Sequence, residues 1–327
     1  AERKSNKIPE LERGAKPRPI SKLGVIGGGT MGSGITIAAL NSGLPVTMVE
    51  RDQESLERGI ENVKKVYRRD VEKGRLSQEK ADKILSNYST STQLNDLSDK
   101  DMIIEAVFEE LEVKKGVFSQ LNDIAKEGAV LASNTSYLDI DKIASATDRV
   151  GDVIGLHFFS PANIMRLLEI VVPTNVKDDV VATGFQLAKI LKKVPVRAGN
   201  CDGFIGNRVL ENYAKAANYM MEDGTSPYDI DKAIVEFGYP MGPFQMFDLA
   251  GGDIGWADRK RKAAFRSNEE RYVSIADRIC EKGWFGQKTG RGYYKYTPGA
   301  RRGEEDPEVL SIIQEERGVK GIEAKSL

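Results

Sequence analysis

Histidine, cysteine and net charge are all scarce in this sequence, and each scarcity removes a class of function. The chain of 327 residues has one histidine, His157, and two cysteines, Cys201 and Cys280, without metal-ligand spacing, so no metal site is expected. The cysteines fit free thiols in a reducing compartment, and nothing argues for a disulfide. Lys plus Arg total 48 against 49 for Asp plus Glu, a balance that gives nucleic acid no electrostatic hold. No apolar run approaches the length of a membrane span and no secretory signal is visible, so no membrane partner is expected either.

What is present begins with Lys22 to Asp52. Leu23, Val25 and Ile26 read as a short buried strand, and Gly27-Gly28-Gly29-Thr30-Met31-Gly32 then sets glycines at the three positions of G-x-G-x-x-G where a helix should open. Gly27 would turn the backbone tightly, Gly29 would let it touch a pyrophosphate, and Gly32 would let the helix press on the strand, its N-terminus facing the phosphates through Thr30 and Met31. Pro45 to Val49 returns as a second strand, and Glu50 follows it with a carboxylate placed for the adenosine ribose hydroxyls. Because that charge repels a 2′-phosphate, the expected cofactor is NAD rather than NADP.

At this length two domains are expected. Residues 1–20 are polar and basic and read as a linker. Helical spacing follows over Gln53 to Gly74, with Lys64, Lys65, Arg68 and Arg69 facing solvent or an anionic ligand, and again over Ser77 to Tyr88. Strands at about 101–107, 129–133, 153–158, 167–172 and 194–197 alternate with helices at about 112–126 and 178–191. This order predicts an α/β fold, a Rossmann-like doubly wound, mostly parallel sheet over 21–200, followed by a smaller all-helical domain over 201–297. Residues 298–327 read as a polar tail or the start of a further segment. Ligands of such sheets bind beyond the carboxyl ends of the strands, which Gly27, Glu50, Val107 and Ser133 mark.

His157 ends a predicted strand at that same edge, and Glu169 lies in the otherwise apolar strand Leu167 to Val171. A buried carboxylate needs a partner and an imidazolium is a natural one, so the pair suits removal of a hydroxyl proton as hydride leaves the same carbon. Ser133-Asn134-Thr135-Ser136 follows a strand end, where its donors can hold a substrate oxygen, cap the next helix, or do both. Asn207, in Asp202-Gly203-Phe204-Ile205-Gly206-Asn207-Arg208, enters the first helix of the second domain and would reach the cleft from its other wall.

In order and spacing, SNTS, HFFSP, the strand glutamate, GFIGNR and YPMGPFQMFDLAG resemble the L-3-hydroxyacyl-CoA dehydrogenase family of fatty-acid β-oxidation. The likeness covers about residues 20–297 and is nearest to the dehydrogenase part of peroxisomal multifunctional enzymes. It implies His157 as catalytic base with Glu169 as its partner, and Ser136 and Asn207 as the residues that hold the substrate oxygen, Ser136 also meeting the cofactor. It implies further cofactor contacts at Glu109, Lys114 and Lys288, and at Ser160, where the monofunctional enzymes carry asparagine. The implied substrate is an acyl-CoA, the implied setting the peroxisome, and the implied partners a second copy in a homodimer or other domains of a longer chain, such as an enoyl-CoA hydratase part. Two rival readings are a dehydrogenase of a free hydroxy acid and a non-catalytic NAD-binding structural protein of the same fold.

Overall fold

The computed structural model describes residues 5, 7–267, 269–297 and 302–323, and the chain divides into two compact units, Ala1–Arg208 and Val209–Leu327. In the first unit the elements run α1 (Pro9–Glu12), β1 (Leu23–Ile26), α2 (Thr30–Asn41), β2 (Val46–Val49), α3 (Gln53–Glu72), α4 (Gln78–Leu85), β3 (Tyr88–Ser91), β4 (Met102–Glu105), α5 (Leu111–Ile124), β5 (Val130–Ser133), α6 (Ile140–Ala144), β6 (Val153–Phe158), β7 (Leu167–Val172), α7 (Asp178–Ile190) and β8 (Val194–Gly199). Among the described residues these strands form one sheet of eight in the order β3-β2-β1-β4-β5-β6-β7-β8. Every pairing is parallel except β6 with β7, which run antiparallel.

The two-residue period of the strands sorts their side chains onto two cores, which is what a doubly wound sheet requires. Leu23, Val25, Met102, Ile104, Val130, Ala132, Ile154 and Leu156 pack on one face with helices α2, α3 and α7. Ile26, Ile103, Leu131 and Val153 point to the other, against Phe118 and Leu121 of α5 and Ile140 and Ile143 of α6. The helix starts are chemically marked: Asp52 accepts from the Ser55 amide at 2.7 Å to cap α3. Strand β3 was not legible in Tyr88-Ser89-Thr90-Ser91, where a helix was expected to reach Tyr88. Polar on both faces, it is recruited as an edge strand by pairing with β2, with Thr47 and Ser89 hydroxyls 2.8 Å apart.

The stretch read as a linker, residues 1–20, departs from that expectation where it is described. Ile8 is buried, Arg197 reaches Glu10 at 2.9 Å, Arg13 reaches Asp178 at 2.7 Å, and Arg18 bridges Asp152 and Asp179 at 2.8 Å each. Paired charges and one buried isoleucine hold this segment against β8 and α7.

The second unit takes most of α8 (Gly206–Asp223), then α9 (Pro227–Phe237), α10 (Pro243–Ala250), α11 (Gly252–Lys262), α12 (Ile275–Glu281) and α13 (Pro307–Lys320). Among its described residues it is helical apart from one antiparallel pair of two-residue strands, β9 (Tyr294–Lys295) and β10 (Glu304–Glu305). The expected polar tail is corrected by α13, because Val309, Ile312 and Ile313 sit in the same core as Met221, Phe244, Ile275 and Ile279. Its apolar positions are hidden among charges in the sequence, where Asp306-Pro307 marks a helix start. Residues 298–301 and 324–327 of that stretch lie outside the described residues.

Candidate active site

The glycine turn is built as a cradle. Gly27 has φ of +101°, and a Cβ there would lie 2.6 Å from the Ala106 carbonyl. A Cβ on Gly32 would lie 1.8 Å from the Gly27 carbonyl, so the helix can only approach the strand this closely without a side chain. Gly29 is different: the position of its Cβ is open space. Among the described residues no side chain caps α2, whose exposed first residue is Thr30, with Met31 half-buried behind it. Free amides at a helix N-terminus beside open space fit a diphosphate. The Glu50 carboxylate accepts from the Gly28 amide at 2.7 Å and from the Arg51 amide at 3.0 Å, so it braces the turn from the end of β2. Gly59 of α3 lets that helix touch Gly28, a contact the motif itself does not announce.

His157 lies one residue from the end of β6, which runs parallel to β5, so the ring sits at the carboxyl edge of the parallel strands. Antiparallel register places Glu169 of β7 directly opposite. Nδ1 of His157 is 2.6 Å from Oε2 of Glu169, with both side chains buried. The other carboxylate oxygen accepts from the Ile205 amide at 3.1 Å and the Gly206 amide at 2.7 Å. Phe159 and Phe204 close over the imidazole, their ring centroids 4.4 and 5.5 Å from it. Gly206 is required there, since its Cβ would lie 2.8 Å from the Phe159 ring. With Nδ1 committed to the carboxylate, Nε2 is the nitrogen left for proton transfer.

Beside this pair, the ends of β4 and β5 carry a polar network. Glu109 accepts from the Thr135 hydroxyl at 2.5 Å, the Ser136 amide at 2.8 Å and the Tyr137 amide at 3.3 Å. Asn207 donates to the Ser136 carbonyl at 3.3 Å, so Asn207, Ser136 and Glu109 meet within the first unit. Asn134 accepts from the Phe158 amide at 2.9 Å and ties this loop to the strand of His157. Lys114, expected at the cofactor, is buried with its ammonium 2.6 Å from Glu105 and 3.2 Å from Glu109. Glu105 also accepts from Val107 N at 2.8 Å and was passed over in the sequence, where the one acid ending Met102-Ile103-Ile104 was its signal. Ser160 stands exposed after β6.

Lys288 lies in the second unit, half-exposed and paired with Asp253. Its turn hangs on a buried acid: Asp248 accepts from the Tyr293 and Tyr294 amides at 2.9 Å each and from the Tyr296 hydroxyl at 3.0 Å. Gly286 and Gly292 allow this, since a Cβ at either would fall 2.1 Å from an Asp248 oxygen. Burial pushes the Asp248 carboxyl up from 3.8 to about 6, against those three hydrogen bonds and with Asp231 adding to the rise. Asp231 in turn caps α10 through the Phe244 and Gln245 amides at 2.9 and 2.8 Å. Asp248 thus ties the stretch YPMGPFQMFDLAG to Tyr293 and Tyr294, and Asp231 ties it to α9. Cys201 is exposed and Cys280 buried, both as free thiols.

Sheet order, glycine cradle and the histidine-carboxylate pair at the strand ends define a dinucleotide-dependent dehydrogenase. Residues 22–201 match the model of the 3-hydroxyacyl-CoA dehydrogenase NAD binding domain, and residues 203–296 that of the 3-hydroxyacyl-CoA dehydrogenase C-terminal domain. The chain belongs to the 3-hydroxyacyl-CoA dehydrogenase family, whose first domain binds NAD. It is 42% identical over 95% of its length to the peroxisomal bifunctional enzyme of Cavia porcellus, and 39% identical over 98% to the peroxisomal fatty acid beta-oxidation multifunctional protein AIM1 of Arabidopsis thaliana. It spans less than half of each, 44% and 45% of their lengths. Among solved structures, M. tuberculosis FadB2 superposes with a TM-score of 0.81 at 35% identity, covering 86% of this chain and 100% of that one. The dehydrogenase part of multifunctional enzyme 1 from C. elegans gives 0.67 at 29% identity, over 96% of this chain and 70% of that one.

Proposed function

We propose that this chain oxidises an L-3-hydroxyacyl-CoA to the 3-ketoacyl-CoA with NAD⁺, as a step of fatty-acid β-oxidation. The observation that carries the reading is the buried contact of 2.6 Å between His157 and Glu169 at the carboxyl edge of the sheet. NAD, when bound, supplies the acceptor for the hydride that leaves the carbinol carbon. His157 takes the hydroxyl proton on Nε2, so the C–O single bond becomes a carbonyl as the C–H bond breaks. Glu169 holds the ring in one orientation and stabilises the imidazolium that forms. Ser136 and Asn207 hold the reacting oxygen. On the cofactor side we assign Gly27, Gly29, Thr30, Met31 and Gly32 to the diphosphate and Glu50 to the adenosine ribose. Glu109, Lys114 and Ser136 are assigned to the nicotinamide side, Lys114 acting from within through Glu109, with Val107, Ser160 and, from the helical unit, Lys288 as further cofactor contacts.

The test is NADH absorbance with acetoacetyl-CoA, set beside free hydroxy acids. His157→Gln should fold and bind NADH yet lose turnover; turnover equal to wild type would remove His157 from the mechanism. Wild-type preference for a free acid over its thioester would shift the reading to another substrate class.

We place the chain in the peroxisome, the compartment in which the names of its Cavia porcellus and Arabidopsis thaliana relatives put those enzymes. The helical unit exposes Val209, Met220, Val235, Phe237 and Tyr239. We infer that a second copy, or further domains of a longer chain such as an enoyl-CoA hydratase part, cover these side chains. A fully active, stable monomer on sedimentation would contradict this.

A further inference from the structure

Glu105 is the last residue of β4, fully buried, and it takes part in no step proposed above. Its two oxygens are saturated by three different parts of the chain: Oε1 accepts from the Val107 amide at 2.8 Å and the Lys114 ammonium at 2.6 Å, and Oε2 from the Ser133 hydroxyl at 2.6 Å. Lys114 therefore lies between two carboxylates, one fully buried and one, Glu109, about a third exposed. A charge is buried at such a site only if its partners are held in place, since leaving either side unpaired is costly. The order of contacts runs from Ser133 through Glu105 and Lys114 to Glu109, and from there to the Thr135 hydroxyl and the Ser136 amide.

We infer that Glu105 is a positioning residue for the dehydrogenase site, fixing Lys114 so that Glu109 and the Ser136 loop stand ready for the nicotinamide half of the cofactor. The inference rests on the assignment of Glu109 and Ser136 made above. Glutamine at position 105 can keep every one of the local hydrogen bonds, because its carbonyl can accept from Val107 and Lys114 while its amide donates to the Ser133 hydroxyl. What it removes is one negative charge. With the charge of Glu105 gone, Lys114 is attracted more strongly to the Glu109 carboxylate than to the neutral amide and draws its Oε2 inward, and the grip of Oε1 on Thr135, Ser136 and Tyr137 changes with it.

The test is a double-mutant cycle read by NADH fluorescence titration, with circular dichroism to establish folding. Glu105→Gln should bind NADH about tenfold more weakly, the effect of turning one charge-assisted hydrogen bond into a neutral one. The double variant with Lys114→Met should bind no more weakly than Lys114→Met alone, because Glu105 acts through Lys114. NADH affinity of Glu105→Gln within twofold of wild type, or effects that multiply in the double variant, would overturn the inference. Should Glu105→Gln not fold, Ser133→Ala gives the reading: about threefold weaker binding is expected from the loss of one neutral donor, and unchanged binding overturns the proposal. A wild-type chain that binds no NADH would sink the proposed function and this inference with it, whereas wild-type binding beside an unaffected Glu105→Gln sinks the inference alone.

Discussion

Replacing Glu169 by glutamine tests the chemistry and the fold with one atom exchanged. The wild-type carboxylate offers two acceptor oxygens, one at 2.6 Å from His157 Nδ1 and the other to the amides of Ile205 and Gly206. Glutamine has one acceptor and one donor group, so it satisfies one side and presents N–H to N–H on the other. If the carbonyl stays with the two amides, the glutamine NH₂ faces Nδ1, which must then give up its proton and leave Nε2 protonated, the tautomer that cannot take a proton from substrate. If the carbonyl turns to His157, the partly buried amides of Ile205 and Gly206 lose their acceptor, at a cost of up to about 1 kcal/mol each. The first arrangement costs less and should dominate. Turnover with acetoacetyl-CoA should then fall by about 10²- to 10⁴-fold, the scale of a misplaced general base. The melting temperature should drop by only a few degrees for about 1 kcal/mol lost. NADH affinity should be kept, because no assigned cofactor contact is altered. Turnover within threefold of wild type in a folded Glu169→Gln protein would refute the reasoning.

The glycine turn makes a paired prediction. Gly32→Ala should destabilise the first unit and abolish NADH binding, since its Cβ would lie 1.8 Å from a carbonyl, whereas Gly29→Ala, with nothing near its Cβ, should melt like wild type and still bind NADH far more weakly. A Gly29→Ala protein with wild-type NADH affinity would remove the cradle assignment. Asp248 gives a pH dependence whose direction follows from its raised carboxyl, about 6 in the fold against 3.8. Between those values the folded chain holds more protons than the unfolded one, so this group's contribution is fully present below about pH 4 and is lost as pH rises through 6, by about 3 kcal/mol. Urea unfolding of wild type and Asp248→Asn from pH 4 to 8 should show the difference between them changing over that window; a constant difference would be the contrary result.

The sheet was legible because its strands are apolar runs at regular spacing, and β6 and β7 could be placed to the residue from Val153 to Phe158 and Leu167 to Val172. Strand β3 was not, because an edge strand held by backbone pairing needs no apolar signature. His157 and Glu169 were readable as a pair from one acid in an apolar strand. Glu105 shows the same signal, yet its partner Lys114 sits on a helix face that sequence spacing alone presents as solvated. Helix α13 was hidden for a related reason: its three buried apolar residues are outnumbered by charges, and only packing against Phe244 and Ile275 shows which face is inside. The acids Asp231 and Asp248 carry no sequence signal apart from the glycines that make room for them.

A carboxylate whose two oxygens answer to different stretches of chain transmits displacement as well as charge. The amides of Ile205 and Gly206 that Glu169 holds belong to the segment just before the division at Arg208, where Gly203 and Phe204 both have positive φ. Substitutions in this segment, remote from any reacting atom, should therefore register as lost turnover through the orientation of the imidazole, and such variants belong in the same kinetic series as those of the histidine itself.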